Sequence, residues 1–376
     1  MMDAQEYLEE LIRYESTSSL TNEPIATHVN QVLQRLGFTT EWVEYVDADG
    51  VTKVSVVGKR GSGTGGFAYF GHTDVVPADD WHVAEPGPYT VTVRDGRLYG
   101  RGSCDMKGSI ACMLAAAEEI STEELQAPLY IVCTADEEVG YTGAKEVTKQ
   151  SKYYREMVAG GCRGVIGEPT RLKVVYAHKG VCGLKVTSLG CAAHSSTSAG
   201  LNANLAMIPF LVEMKDIHDM CESSPEWRNE EFDPPTVSWN IGINDFTRAH
   251  NIKPPQSVCT VYFRPMPGQD PEVLIGRARR AAESAGMELE VVTQGGPLYV
   301  DPSSVFVQEL LEFVESDRPQ TVAYGTDGCV LQDMEFLAVL GPGDITQAHT
   351  NDEWIELEQL QKGTDLYARL IRHWCC

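Results

Sequence analysis

The sequence predicts an α/β protein with a mixed, largely parallel sheet and an inserted α+β domain of ferredoxin-like type. Strand-like and helix-like segments alternate over the first half of the 376-residue chain, which is typical of a layered α/β core. After about Ala177 the order becomes β-α-β-β-α-β, the ferredoxin-like order. We therefore predict a main domain formed by residues 1–177 and 294–376, and an inserted domain formed by residues 178–293.

The spacing of apolar residues predicts the elements of the first part. Residues 23–36 place apolar side chains at helical intervals and are followed by Gly37, a helix stop signal. Residues 107–120 are rich in Ala, Met and Leu and predict a buried helix, and a further helix is predicted at 141–150. Apolar or β-branched runs predict strands at residues 51–57, 67–70, 89–93, 129–133 and 164–167.

The inserted domain is predicted from the same signals. Its strands are expected at residues 182–189, 236–243, 257–263 and 289–292, and its helices at 204–218 and 271–285. The polar, Pro-containing segment 223–235 is predicted to be a loop. From Pro302 the alternation of helix and strand resumes and ends in a helix at 357–373. The terminal pair Cys375–Cys376 is expected to be a frayed tail.

The composition excludes several classes of partner. Lys and Arg number 30 against 54 Asp and Glu, which gives a formal net charge of −24. Such a chain repels phosphate, so we expect neither nucleic acid nor a membrane surface as partner. No apolar stretch is long enough to span a bilayer, and no secretory leader is recognisable. The eleven cysteines show no Cys-x-x-Cys spacing, which favours free thiols in the cytoplasm.

The first candidate motif, residues 70–77, follows a predicted strand. In an extended segment, residues two apart face the same way, so His72 and Asp74 can meet. A carboxylate that accepts the imidazole N–H would fix the tautomer of a metal-binding histidine. The alternative interpretation of this motif is an ordinary surface turn.

The second candidate motif is the glycine-rich segment 99–108, in which Asp105 lies just before a predicted helix. On its own, Asp105 is interpreted as an ordinary helix N-cap, because Asp is favoured at that position. Cys104 beside it is expected to be a small buried thiol, because no histidine accompanies it locally.

The third candidate motif places three carboxylates, Asp136, Glu137 and Glu138, directly after a buried strand. Mutual repulsion makes this arrangement costly unless a cation neutralises it. One glutamate could bind metal while its neighbour moves protons. A solvated acidic turn is the alternative.

Two further side chains, Glu168 and His349, also follow predicted strands. Each is a weak signal alone, but the carboxyl ends of parallel strands meet at one edge of a sheet. The sequence therefore predicts a cluster of carboxylates and imidazoles there. The interpretation requires His72 and His349 to lie close together.

Together these motifs resemble those of the zinc-dependent aminoacylase and carboxypeptidase family. Gly-His-Thr-Asp-Val-Val-Pro, Gly-Arg-Gly-x-x-Asp-Met-Lys-Gly, Asp-Glu-Glu-x-Gly and Gly-Glu-Pro-Thr occur in the family's order. The resemblance spans nearly the whole chain. It implies an enzyme that hydrolyses the amide bond of an N-acyl amino acid with two zinc ions per subunit, for which cobalt or manganese could substitute. It also implies that the inserted domain is a lid through which the chain forms a homodimer.

The resemblance assigns five metal ligands. His72 and Glu168 are expected to bind one zinc ion, and Glu138 and His349 the second. Asp105 is expected to bridge both ions and to precede a cis peptide bond. Three carboxylates and a hydroxide balance the four positive charges of two zinc ions, which a buried cluster requires.

The resemblance also assigns the groups that handle the reaction. Asp74 is expected to orient His72, and Glu137 to act as the general base that later protonates the leaving amine. His194, supplied by the lid of the partner subunit, is expected to stabilise the oxyanion. The alternative for His194 is a turn histidine near a helix start.

Substrate-binding residues follow from the same resemblance. Arg264 is the counterpart of the arginine that binds the substrate α-carboxylate, for which a bidentate guanidinium is suited. Asn251 matches the family's lid asparagine, although residues 246–250 replace the usual Gly-Gly before it. Gly325 and Thr326 lie in the segment that corresponds to the family's substrate loop.

Three stretches, 177–180, 324–327 and 340–349, are most similar to the family members that deacetylate N-acetyl-L-ornithine in arginine biosynthesis. The negative surface would attract such a cationic substrate. Succinyl-diaminopimelate, another N-acyl amino acid or a dipeptide are the alternative substrates. A metal-free, inactive binding protein is the alternative of another class, and the five retained ligands and Glu137 argue against it.

Overall fold

The computed structural model describes residues 1–82 and 87–376, which form two compact units. The first unit consists of Met1–Ala177, Tyr299–Gln320 and Thr326–Cys376, and the second of His178–Leu298 and Thr321–Gly325. The second unit extends past the predicted limit at residue 293, because the strand at Leu289–Gly295 continues its pairing to Gly295.

Helices and strands alternate along the first unit. Up to the boundary its elements are α1 (Ala4–Ile12), α2 (Glu23–Arg35), β1 (Thr39–Val46), β2 (Thr52–Arg60), β3 (Phe67–His72), β4 (Thr92–Arg94), β5 (Arg97–Tyr99), α3 (Lys107–Glu118), β6 (Leu129–Thr134), α4 (Thr142–Gln150), α5 (Lys152–Ala159), β7 (Arg163–Pro169) and β8 (Val175–His178). The second unit contains β9 (Val181–Leu189), α6 (Ala203–Ser223), β10 (Asn240–Asn244), β11 (Gln256–Phe263), α7 (Pro271–Ser284) and β12 (Leu289–Gly295). The chain ends with β13 (Leu298–Tyr299), α8 (Val305–Phe313), β14 (Gln320–Val322), β15 (Phe336–Gly341), β16 (Trp354–Glu356) and α9 (Leu357–Cys375).

The main sheet has a parallel centre. Its strand order is β1-β2-β6-β3-β7-β15-β8-β13, and β14 pairs with β8. The pairs β6–β3, β3–β7 and β7–β15 are parallel, whereas β1–β2, β2–β6 and β15–β8 are antiparallel. Every residue of β3 and β6 is buried, as expected for strands in a covered parallel sheet. The parallel centre therefore brings the carboxyl ends of β3, β6, β7 and β15 to one edge.

The second unit has the predicted ferredoxin-like order. Its antiparallel sheet runs β10-β11-β9-β12, and α6 and α7 join strands in the order β-α-β-β-α-β. The strand predicted at 236–243 begins later, at Asn240. Thr236 instead forms an isolated bridge with Arg228.

The prediction of a frayed C-terminal pair is wrong. Cys375 is the last residue of α9 and is buried. Its carbonyl accepts hydrogen bonds from the backbone N–H groups of Gln126 and Ala127, and its thiol contacts the carbonyl of Pro128. These contacts fix the end of the chain against the segment that precedes β6.

The helix α1 was not predicted, although the sequence carries a signal for it. Asp3 and Glu6 form a capping box, in which each side chain accepts a hydrogen bond from the other residue's backbone N–H. The spacing Asp-x-x-Glu before an apolar run is the usual mark of such a helix start.

The structure does not contradict the expectations about the cysteines and about membrane-spanning segments. The eleven cysteines are free thiols. Over residues 1–82 and 87–376, no helix combines the length and the apolar character that a membrane crossing requires.

Candidate metal centre

His72, the last residue of β3, forms one half of a side-chain cluster at the carboxyl edge of the main sheet. Its Nε2 lies 3.1 Å from Oδ1 of Asp105 and 3.5 Å from Oε1 of Glu168. Glu168 comes from β7, which pairs in parallel with β3. All three side chains are buried. The parallel pairing of β3 and β7 thus places the imidazole of His72 beside the carboxylate of Glu168, and the segment before α3 adds Asp105.

His349 forms the other half of the cluster. It lies in the loop after β15, and its Nε2 is 3.0 Å from Oε2 of Glu138 and 3.5 Å from Oδ2 of Asp105. One oxygen of Asp105 thus faces His72 and the other faces His349. The two imidazoles lie on either side of one carboxylate, which is the proximity that the sequence interpretation requires.

Asp105 is not a helix N-cap. The helix α3 begins at Lys107, its N-cap position is Met106, and no side chain caps it. The expected cis peptide bond is present between Asp105 and Met106. Cys104 is fully buried, as expected. The Asp105 carboxylate is therefore free of a capping role and faces the two imidazoles.

The acidic segment after β6 is not a solvated turn. Asp136 is buried with a positive φ of 55°, and Glu137 and Glu138 are half-buried. Asp74 holds this turn, because its Oδ1 accepts the backbone N–H of Glu137 at 3.2 Å and its Oδ2 accepts that of Glu138 at 3.3 Å. The turn thereby directs Glu138 to His349 and brings Glu137 near His72.

Asp74 contacts His72 chiefly through its backbone. The Nδ1 atom of His72 lies 3.0 Å from the carbonyl oxygen of Asp74 and 3.6 Å from Oδ1. A carbonyl can only accept, so Nδ1 carries the ring proton and Nε2 faces Asp105 and Glu168. The expected fixing of the tautomer is therefore performed by the carbonyl, and the carboxylate supports the Glu137–Glu138 turn.

A layer of polar groups beneath the turn was missed by the sequence analysis. The Ser18 hydroxyl donates to Oδ2 of Asp74 at 2.7 Å. Lys53 is buried in β2, where its Nζ lies 3.0 Å from Oδ1 of Asp136 and donates to the carbonyls of Ser18 and Leu20. The sequence signal for this layer was a lysine within the strand predicted at residues 51–57.

The charges in the cluster shift the protonation of its members. Burial disfavours a charged His72, but hydrogen bonds to Asp105 and Glu168 raise the pKa of its imidazole well above the ordinary value. Burial and the neighbouring Asp105 raise the pKa of Glu168 to about 8. Hydrogen bonds to Asp105 and Glu138 raise the pKa of His349 to about 10. Protons compensate the crowded carboxylates here, and a metal ion would compensate them in the same way.

The donor set fits a divalent cation. Among the described residues, two sets of side chains bring one ligand atom each within 4.8 Å of one another: His72, Glu137 and Glu168, and His72, Asp105 and Glu138. Imidazole nitrogen and carboxylate oxygen are usual ligands of zinc and similar metals. Nε2 of His72 faces the carboxylates of Asp105 and Glu168, so a positive charge is needed between the imidazole and these two groups.

Among the described residues, neither set of closely spaced ligand atoms contains any of the other five predicted site residues. His194, Asn251, Arg264 and Gly325 belong to the second unit. His194 and Asn251 are neighbours there, because the backbone N–H of Ser195 donates to the carbonyl of Asn251. Thr326 belongs to the first unit and is buried.

Imidazoles and carboxylates gathered at the carboxyl edge of an α/β sheet, with an additional glutamate beside them, define the centre of a metal-dependent hydrolase. The sequence model of the peptidase family M20/M25/M40 matches residues 68–373. The chain belongs to this family, as its motifs predicted, and it is an enzyme of the metal-dependent hydrolase class.

Similar proteins agree with this assignment. An acetylornithine deacetylase of Myxococcus xanthus is 35% identical over 98% of this chain and 96% of its own length. An acetylornithine deacetylase of Proteus mirabilis is 31% identical over 94% of this chain and 91% of its own length.

Solved structures share the fold. An M20 family metallo-carboxypeptidase from Sulfolobus solfataricus superposes with a TM-score of 0.77 at 15% identity, covering 100% of this chain and 99% of that chain. A dinuclear metal binding peptidase of the M20 family from Bacillus subtilis has a TM-score of 0.63 at 14% identity, covering 98% and 97%.

Proposed function

We propose that the enzyme removes the acetyl group from N-acetyl-L-ornithine, a step of arginine biosynthesis, in the cytoplasm. The observation that carries this proposal is the similarity of nearly the whole chain to acetylornithine deacetylases at 31–35% identity. The free thiols support a reducing compartment. The net charge of −24 supports the attraction of a substrate with a cationic side chain.

We propose two zinc ions as cofactor. His72 and Glu168 would hold one ion, Glu138 and His349 the other, and Asp105 both. Bound zinc supplies Lewis-acid chemistry, since it polarises a carbonyl group and makes water more acidic. The contacts of the two Asp105 oxygens with the two imidazoles support this division.

Glu137 is the proposed general base. It lies with His72 and Glu168 in one of the two sets of closely spaced ligand atoms, and it stands outside the five ligands proposed above. It would take a proton from the attacking water and give it to the leaving α-amine, which are the usual roles of a positioned carboxyl group in hydrolysis. Asp74 supports this role by holding the backbone N–H of Glu137.

Four residues are proposed to bind the substrate, and one to assist the reaction. Arg264 would bind the α-carboxylate: its Nη1 atom is buried and has no hydrogen-bond partner among the described residues, so the N–H groups on Nη1 are available for an anion. Asn251, Gly325 and Thr326 are proposed as further substrate contacts. His194 is proposed to stabilise the oxyanion.

A substrate comparison tests the proposed function. We expect kcat/KM for N-acetyl-L-ornithine to exceed that for succinyl-diaminopimelate and for dipeptides. N-acetylputrescine, which lacks the α-carboxylate, is expected to react about 10–100-fold more slowly, because one charged hydrogen-bonding partner is missing. The measurement is release of the free amine by the zinc-loaded enzyme. Equal rates on all four substrates would contradict the assignment.

We also propose a homodimer formed through the second unit. Leu205, Ile208 and Val212 lie on α6 and Ile243 lies on the edge strand β10, and all four are exposed by 48–65%. Ile208 and Ile243 line one cleft. Exposed apolar groups beside an unpaired strand edge favour association with a second copy.

Charged substitutions on α6 are expected to prevent this association. The double variant Leu205→Glu/Val212→Glu would place two carboxylates in the interface, where their desolvation is unfavourable. Light scattering should then report a mass near 41.3 kDa instead of twice that value. Val305→Glu, at a still more exposed position in the first unit, is the control and should leave the dimer intact. A wild-type monomer would refute the proposal directly.

A further inference from the structure

Glu353 is a buried carboxylate outside the ligand set, and all of its contacts converge on the segment that carries Asp105. Its Oε2 accepts from Nη1 of Arg101 and from the backbone N–H of Gly102, both at 2.9 Å. Its Oε1 accepts from the backbone N–H groups of Cys104, at 2.8 Å, and Asp105, at 2.9 Å. One side chain therefore satisfies four donors within five consecutive residues.

This segment depends on Glu353 because it is buried but has no regular structure. Residues 101–106 are all buried, and α3 begins only at Lys107. Buried backbone N–H groups need acceptors. Within residues 1–82 and 87–376, no strand supplies a backbone acceptor for Gly102, Cys104 or Asp105, and their N–H groups donate instead to the same carboxylate. The position of Asp105 is thus set by an acceptor nearly 250 positions further along the chain.

Glu353 also connects the two halves of the centre. It lies four residues after His349, and its carbonyl accepts the backbone N–H of Gly100 at 3.1 Å. The next residues form β16, which pairs with β5 immediately before the Asp105 segment. The same residue therefore fixes the loop of Asp105 and the chain that follows His349.

We propose that Glu353 is a positioning residue, which holds the Asp105 segment in the conformation for bridging two metal ions before any metal binds. This inference rests on the two-metal centre proposed above. The negative charge of Glu353 is compensated by Arg101 and three N–H dipoles, so it can lie near the anionic cluster without being a ligand.

The variant Glu353→Gln tests this role. It keeps the size of the side chain, but its amide N–H groups would face backbone N–H donors, so the Asp105 segment should shift. With Co²⁺ alone as probe, we expect the wild-type protein to bind two ions. The variant should bind the second ion about 10–100-fold more weakly, which is the usual effect of changing a residue that holds a metal ligand in place. The magnetic coupling between bridged Co²⁺ ions in the electron paramagnetic resonance spectrum should also be lost.

Glu118→Gln is the matched control. Glu118 lies at the opposite end of α3 and likewise accepts hydrogen bonds, from the Tyr7 hydroxyl and the Met2 N–H. This variant should bind Co²⁺ as the wild type does. Unchanged Co²⁺ affinity and coupling in Glu353→Gln would overturn the positioning role while leaving the proposed function intact. A wild-type chain that binds no metal would overturn both proposals.

A measurement on metal-free wild-type protein covers the case in which Glu353→Gln does not fold. If Glu353 organises the segment in advance, the N–H groups of Gly102, Cys104 and Asp105 should exchange with deuterium as slowly as those of β3. Exchange as fast as in exposed loops would show that the segment is not held before metal binds, and would overturn the inference.

Discussion

Replacing Glu137 with glutamine is expected to lower kcat by about 10²–10⁴-fold, the usual contribution of a general acid or base, while the two proposed metal ions remain bound. Glutamine keeps the shape of the side chain but cannot accept a proton from water or return one to the leaving amine. The backbone N–H of residue 137 would still donate to Asp74, so the turn should be preserved. The measurements are steady-state turnover of N-acetyl-L-ornithine and metal content per chain.

The control for this variant is Glu123→Gln, which changes an exposed glutamate of the first unit. It should retain wild-type turnover and metal content. A Glu137→Gln enzyme that turns over at nearly the wild-type rate would show that another group moves the proton. Loss of metal together with activity would instead place Glu137 among the ligands, where it lies close to His72 and Glu168.

The part of the centre that sequence alone predicts is the part that follows strand ends. His72 is the last residue of β3, Glu168 is the second-last residue of β7, and Glu138 follows the end of β6. Apolar runs reveal buried parallel strands, and the edge at which they end is fixed by the chain direction. Side chains far apart in sequence could therefore be assigned to one place before any coordinate was known.

The supporting groups could not be predicted in this way. Glu353 acts on Asp105 across 248 positions, and Lys53 acts on Asp136 across 83. Neither contact follows from periodicity, because each depends on which loop lies over which strand end. Asp74 shows a related limit: the sequence indicated that it touches His72, but only the structure shows that the contact is made by its carbonyl.

Replacing Asp105 with asparagine is expected to weaken the binding of metal at both positions. In wild-type protein one oxygen of this carboxylate faces His72 and the other faces His349, so its single charge would serve both of the proposed cations. At an effective dielectric constant of about 20, a unit charge lost at about 4 Å costs about 4 kcal/mol for each unit of charge on the cation. For a divalent ion we therefore expect the affinity at each position to fall by more than about 1000-fold.

Titration with Zn²⁺ against a competing chelator measures this change in Asp105→Asn. Because Glu168 and Glu138 each remain beside one imidazole, the two positions should weaken together and should fill independently. Asp301→Asn, in an exposed turn of the first unit, should bind zinc as the wild type does. If only one ion were weakened, Asp105 would belong to a single metal position and the bridge would be excluded. If zinc affinity fell at neither position, Asp105 would not be a ligand. Its negative charge would then have to be supplied by Glu137, and the Glu137→Gln variant tests that possibility separately.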